Sequence, residues 1–279
     1  MQNILIAAGV VGGLGLLFGL ILSTASRIFQ VKVDYRVEAV REALPGANCG
    51  ACGFPGCDAF AEHVALNDGP VNGCPVGGQT VAAKVAEIMG KVADEGSKEV
   101  ACVMCQGDAD RAKERFEYDG PRDCRVNASL SGGSKACSFG CLGCGTCKDY
   151  CQFGAIEIIN GLAVIDKDKC TACRKCVEVC PKNVIDMIPY EQEVIVKCKN
   201  TEPGKEVRQK CSVGCIACNI CAKTVPDAFV VENQLARTIF PPESDPMPAA
   251  LKCPTGCIYP GLEAKEAAKK QKEEAAKSA

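Results

Sequence analysis

The chain has 279 residues, of which 23 are cysteine, one is histidine (His63) and none is tryptophan. That length allows roughly two ordinary domains, each able to bury a core without disulfide staples, and an odd number of cysteines cannot be wholly paired. A single imidazole nearly excludes histidine-ligated zinc, histidine-ligated haem and Ser-His-Asp chemistry. With 32 basic and 34 acidic residues, the net charge of −2 offers no footprint for nucleic acid. The cysteines must carry the function.

In chain order, residues 1–26 carry no charged side chain, and Ile4 to Leu22 is almost wholly apolar. About 20 helical residues at ~1.5 Å each span the roughly 30 Å hydrocarbon layer. Arg27 and Lys32 follow closely and no basic side chain precedes. The pattern predicts a single-pass transmembrane anchor over 1–27 in the cell (inner) membrane, N-terminus outside and everything after it on the cytoplasmic side. A cleaved signal peptide would want a basic start and a small-residue cleavage site. Gly9, Gly13, Gly15 and Gly19 read equally as a helix-contact stripe or as the ordinary glycine content of membrane helices.

Residues 36–95 contain Cys49-x2-Cys52-x4-Cys57 and, further on, Cys74-Pro75. Three thiolates on a glycine-rich loop can wrap an inorganic cube, because glycine permits the turns that aim several sulfurs inward. Cys49, Cys52, Cys57 and Cys74 are therefore expected to hold a [4Fe-4S] cluster. Structural zinc usually takes two well-separated cysteine pairs instead. His63, on the helix expected over Asp58 to Leu66, reads as a surface residue rather than a ligand.

Residues 96–136 are mixed and polar and read as a connector. The next segment, 137–190, is sharper: Cys141-x2-Cys144-x2-Cys147-x3-Cys151, then Cys170-x2-Cys173-x2-Cys176-x3-Cys180-Pro181. This is the two-cluster ferredoxin run, in which the fourth cysteine of each motif ligates the other cluster. One cluster takes Cys141, Cys144, Cys147 and Cys180; the other takes Cys151, Cys170, Cys173 and Cys176. Ala155 to Leu162 alternates as a strand, turn and strand should. Gln152 stands where the first motif normally has proline.

Laid on itself at an offset of 73 to 74 residues, the chain repeats. Cys137, Cys141, Cys144 and Cys147 reappear as Cys211, Cys215, Cys218 and Cys221. The separation from Leu162 to Cys180 recurs from Leu235 to Cys253, with proline next in both. Val225, Glu243, Pro246 and Ala249 occupy the places of Cys151, Cys170, Cys173 and Cys176. Loss of all four ligands together, with all four neighbours kept, predicts that 191–260 is a degenerate copy holding one cluster on Cys215, Cys218, Cys221 and Cys253. The Pro241–Pro246 stretch is then a loop, and 261–279 a charged helical tail.

Seven cysteines remain: Cys102, Cys105, Cys124, Cys137, Cys198, Cys211 and Cys257. Cys102, Cys105, Cys124 and Cys137 could supply a fifth cluster, or the thiols could serve as buried hydrophobes. Cys198 to Cys211 repeats the spacing of Cys124 to Cys137. Cys257 matches Val184 and reads as core. No nucleotide fingerprint is present. The expected fold class is α+β: a transmembrane helix, a small four-cysteine iron–sulfur domain, then ferredoxin-like repeats.

With these motifs the chain resembles the electron-transfer B subunit of the Rnf complex, the ion-pumping ferredoxin:NAD oxidoreductase of bacterial membranes. The likeness rests on the uncharged N-terminus, the Asn48-Cys49-Gly50-x-Cys52-Gly53-x-Pro55-x-Cys57 loop with Cys74, and the double ferredoxin run. Val103-Met104-Cys105-Gln106-Gly107 and Gly132-Gly133-Ser134-Lys135-Ala136-Cys137 are similar to the longer, clostridial-type form, although the truncated last site departs from longer members. The resemblance implies a cytoplasmic subunit that accepts electrons from reduced ferredoxin and passes them toward membrane partners. NAD would be reduced at a separate flavin-bearing subunit, and Na⁺ or H⁺ translocation would belong to the assembled complex. The alternatives are a membrane-bound polyferredoxin serving a hydrogenase or other dehydrogenase, and a structural zinc protein.

Overall fold

The computed structural model describes residues 2–28, 34–93 and 98–261; the expected tail over 261–279 lies almost wholly outside them. The first element is a continuous helix, α1 (Gln2–Ile28). It does not bear out the transmembrane anchor: among the described residues no helix is long and apolar enough to cross a membrane. Near the end of α1 the Thr24 hydroxyl donates back to the carbonyl of Leu20 at 2.8 Å.

Residues 34–93 form a three-helix unit of α2 (Tyr35–Ala43), α3 (Cys57–Leu66) and α4 (Gly78–Met89). Asp34 caps α2 by accepting the Arg36 N–H, satisfying a donor the first turn leaves open. Gly90 ends α4 in the left-handed region. Val40, Phe60, Val64 and Val85 are fully buried between the helices, each worth roughly 1.5–3 kcal/mol of apolar burial. His63 packs its ring 4.8 Å from that of Phe54.

Residues 98–261 hold two copies of one unit. The first contains β1 (Glu99–Val103), α5 (Cys124–Ser129), α6 (Thr146–Asp149), β2 (Ile156–Ile159), β3 (Leu162–Ile165), α7 (Lys175–Glu178) and β4 (Ile185–Pro189). The second contains β5 (Ile195–Val196), α8 (Gly204–Lys210), α9 (Ile220–Thr224), β6 (Phe229–Glu232), β7 (Leu235–Thr238), α10 (Met247–Lys252) and β8 (Ile258–Tyr259). Each copy pairs its inner strands as a hairpin, β2 with β3 and β6 with β7, and its outer strands antiparallel, β1 with β4 and β5 with β8. The hairpin turns Asn160-Gly161 and Asn233-Gln234 have positive φ at both central residues, the twist that two-residue hairpins favour.

Two findings go beyond the sequence reading. The expected connector supplies β1, whose Val103 pairs with Ile185 and Glu99 with Pro189, so it is built into the first copy. Its later part bonds to the second: the Lys113 N–H donates to the Lys210 carbonyl and the Ser212 N–H to that of Arg111, both at 2.9 Å. Where the second copy lacks cluster ligands it packs apolar groups instead. Val225 and Ala249 are 5% and 0% exposed beside the fully buried Ala228 and Phe229.

Candidate iron–sulfur sites

In each ferredoxin-type loop the middle cysteine lies between two residues of left-handed backbone. These are Gly143 and Gly145 around Cys144, Ala172 and Arg174 around Cys173, and Ala217 and Asn219 around Cys218. That conformation costs a non-glycine residue roughly 1–2 kcal/mol, and it persists only where its surroundings over-determine it. Here it coils the loop and leads into the short helices α6, α7 and α9, which carry Cys147, Cys176 and Cys221. In the first loop Asn48, Gly50 and Gly53 have positive φ. The Asn48 Oδ1 accepts the Cys57 N–H at 2.8 Å, which fixes the start of α3.

The cysteines surround cavities. Cys49, Cys52, Cys57 and Cys74 line one of about 310 Å³. Cys151, Cys170, Cys173 and Cys176 line one of about 340 Å³. Cys215, Cys218, Cys221 and Cys253 line one of about 360 Å³, with Cys257 in its wall. A further cavity of about 340 Å³ is lined by Cys141, Cys147 and Cys180 together with Cys124. Cys144 lines none of these. Its sulfur accepts the Asn127 Nδ2–H at 3.3 Å and is hydrogen-bonded to Cys124. The sequence reading placed Cys124 in a possible fifth set; here it lines the second cavity, where the Thr146 hydroxyl accepts its N–H at 2.7 Å.

The expected fifth set, Cys102, Cys105, Cys124 and Cys137, is not brought together. Cys102 lies on β1 against Val103, and Cys124 belongs to the cavity just described. Cys105 and Cys137 line a different cavity of about 430 Å³, with Cys198 and Cys211.

The donor set fits iron–sulfur clusters. No disulfide joins any of the described cysteines. Among the described residues no three His, Cys, Asp or Glu groups converge as one metal ion requires, whereas a cluster spreads its ligands around a volume. Backbone amides point at the sulfurs: Ala101 N–H at Cys170 and Ala236 N–H at Cys215, both 3.4 Å. Such bonds favour the thiolate. Burial works the other way, pushing Cys141, Cys211 and Cys221 up to about 11 and Cys147 and Cys176 up to about 12. A buried thiolate set of this kind is stable only with a positively charged metal core to share its charge.

These loops, hairpins and cysteine-lined cavities define the class: an iron–sulfur electron-transfer protein with a ferredoxin-type double unit. The Fe-S cluster family model (FeS) matches residues 44–76, and the 4Fe-4S binding domain model (Fer4) matches residues 163–186. The B subunit of the Na(+)-translocating ferredoxin:NAD(+) oxidoreductase complex of Acetobacterium woodii is 48% identical over 94% of this chain and 80% of its own length. The B subunit of the proton-translocating ferredoxin:NAD(+) oxidoreductase complex of Clostridium ljungdahlii is 42% identical over 99% of both chains. The B subunit of the ion-translocating oxidoreductase complex of Methanosarcina acetivorans is 40% identical over 81% of this chain and 86% of its own. The chain belongs to this family, the electron-transfer B subunits of ion-translocating ferredoxin:NAD oxidoreductase (Rnf) complexes, which are membrane-associated.

Proposed function

We propose that this chain accepts electrons from reduced ferredoxin and relays them toward flavin-bearing and membrane subunits of its complex, where NAD is reduced and Na⁺ or H⁺ is moved. The observation that carries the reading is that three of the expected cysteine sets line separate cavities of similar size whole, and Cys141, Cys147 and Cys180 of the remaining set line another. On this reading Cys49, Cys52, Cys57 and Cys74 hold a first [4Fe-4S] cluster. Cys141, Cys147 and Cys180 hold a second with Cys144 or Cys124, Cys151, Cys170, Cys173 and Cys176 a third, and Cys215, Cys218, Cys221 and Cys253 a fourth. When bound, thiolate-ligated clusters take up and release single electrons at potentials of about −700 to +450 mV, the low end being typical of ferredoxins.

The chain's own residues order the relay. The Cys173 thiol is raised by burial and then by Cys151 and Cys49, which supports adjacency of the first and third sets. Cys218 is exposed, so the fourth set reaches the surface. The absence of disulfides among the described cysteines suits the reducing, cytoplasmic side of the membrane.

The test is to mix anaerobic, oxidised full-length chain with reduced ferredoxin. Bleaching of its visible absorbance within the mixing time is expected, and no bleaching would sink the reading. Cys253→Ala should remove about four irons and Glu243→Ala none; iron lost with Glu243→Ala would contradict the assignment of the degenerate copy.

A further inference from the structure

The 430 Å³ cavity lined by Cys105, Cys137, Cys198 and Cys211 lies between the two copies of the ferredoxin-type unit, and each copy supplies two of its cysteines. Cys137 and Cys211 correspond in the sequence repeat. Cys105 and Cys198 correspond through strand register. Val103 pairs with Ile185 and Val196 with Ile258, where Ile185 and Ile258 are repeat equivalents. The next residues match too: the Met104 N–H donates to the Val184 carbonyl at 2.7 Å, and the Lys197 N–H to that of Cys257 at 3.0 Å. Cys105 and Cys198 each follow one step later. The four cysteines are thus two equivalent pairs facing each other across the junction.

Their surroundings repeat as well. Cys137 accepts the backbone N–H of Phe139, and Cys211 accepts that of Val213, its equivalent. Cys105 accepts the N–H of Cys141, and Cys198 accepts that of Cys215 at 3.4 Å. Cys105 also accepts the Gly107 N–H at 3.4 Å, and Cys137 the Asn200 Nδ2–H at 3.4 Å. A Cβ on Gly107 would lie 3.5 Å from the Cys211 sulfur and 3.6 Å from that of Cys105, so these two sulfurs are at most about 7 Å apart.

Two buried polar side chains stand in the wall: Asn200, 1% exposed, and Lys135, 2% exposed. The Lys135 ammonium donates to the carbonyls of Gly107 and Gly161 at 2.6 and 3.0 Å. A buried cation is costly unless an anionic group offsets it.

From this geometry we infer that Cys105, Cys137, Cys198 and Cys211 hold a fifth iron–sulfur cluster at the junction of the two copies. The cavity is at least as large as the four others, its sulfurs are met by amide donors as theirs are, and its wall carries a compensating cation. The inference rests on the proposed cluster content of the other four sites. Its place also has a consequence. The Cys105 sulfur accepts the backbone N–H of Cys141 of the second site and the Cys198 sulfur that of Cys215 of the fourth, so the junction site joins the two copies into one relay. Each electron leaving a reduced cluster of one copy is taken up at the junction and passed to an oxidised cluster of the other, with no atom transferred.

The test is an iron, acid-labile sulfide and zinc count on the anaerobically prepared full chain. Five clusters predict about 20 irons and 20 sulfides, falling to about 16 in Cys137→Ala/Cys211→Ala and staying near 20 in Cys102→Ala. Sixteen in both wild type and double variant would overturn the junction cluster and leave the other four standing. Stoichiometric zinc lost with the double variant would also overturn it. Iron near zero in the wild type would defeat the four-site reading itself. Should the double variant fail to fold, Asn200→Leu gives the second measurement. It removes a donor from Cys137, so one resolved reduction midpoint should fall with iron unchanged; unmoved midpoints would overturn the inference.

Discussion

The backbone N–H of Cys215 donates to the sulfur of Cys198 at 3.4 Å. A cysteine of the last cavity is thereby tied by one hydrogen bond to a cysteine of the junction between the two ferredoxin-type copies. Cys257 reinforces the tie, bonding to both Cys198 and Cys215 from a fully buried position. Cys198 and Cys257, both outside the recognisable motifs, thus tie the last site to the junction.

The second site offers five thiols for four positions. Cys124 lines its cavity while Cys144 is hydrogen-bonded to Cys124. Either thiol can complete the set, so Cys124→Ala and Cys144→Ala should each keep their iron. The double variant should lose about four irons. Metal analysis of the three proteins decides; loss of four irons in one single variant alone would assign the ligand uniquely and contradict the interchange.

Gly143 has φ +73°, and a Cβ there would lie 2.2 Å from the carbonyl oxygen of Gly161 in the β2–β3 turn. Backbone cannot yield as a flexible side chain does. Gly143→Ala should therefore destabilise the fold by more than about 2 kcal/mol and empty the second site. Chemical unfolding with parallel iron analysis would show it, and wild-type stability would contradict the close approach.

Lys135 is buried with its ammonium on two carbonyls. A fixed cation favours an added electron nearby. Lys135→Met should therefore lower the midpoints of the nearest sites, those of Cys105 and Cys141, without removing iron. It should also cost about 1–3 kcal/mol for the carbonyls left without a donor. Potentiometric titration followed by electron paramagnetic resonance reads the shift; unchanged midpoints would contradict it.

Burial raises the thiols of Cys141, Cys211 and Cys221 to about 11 and of Cys147 and Cys176 to about 12. A thiol raised in the fold keeps its proton after the unfolded chain has lost its own. Its stabilising effect on the cluster-free fold is complete below about pH 8.5 and disappears as pH climbs toward about 11 to 12. Cluster uptake must remove these protons and runs the opposite way. The unfolding midpoint of the cluster-free chain should fall above about pH 9, while reconstitution should quicken between about pH 7 and 9. A pH-independent reconstitution rate would contradict the buried-thiol account.

Much of this was legible because ferredoxin motifs are local. The separations among Cys141, Cys144, Cys147 and Cys151 fix a loop whatever surrounds it, and the hairpin turn at Asn160-Gly161 is written in two residues. The degenerate copy was legible for the same reason, as Val225 and Ala249 stand at ligand positions and fill the core there. The junction set was not. Cys105 and Cys198 correspond through the register of β1 with β4 and β5 with β8, and the long first-copy segment after β1 puts them at a different offset from Cys137 and Cys211. Tertiary pairing alone brings them together. The N-terminal segment failed in the other direction: an uncharged run predicted a membrane span, yet among the described residues no helix is long and apolar enough to cross a membrane.

On this reading the cysteines hold iron–sulfur clusters in separate sites of one electron relay. Iron and acid-labile sulfide per chain, measured on anaerobically purified full-length protein, test it most directly. The account predicts equal amounts, about 16 of each from the four motif-based sites and about 20 with the junction site. Zinc in place of iron, with no acid-labile sulfide, would contradict it.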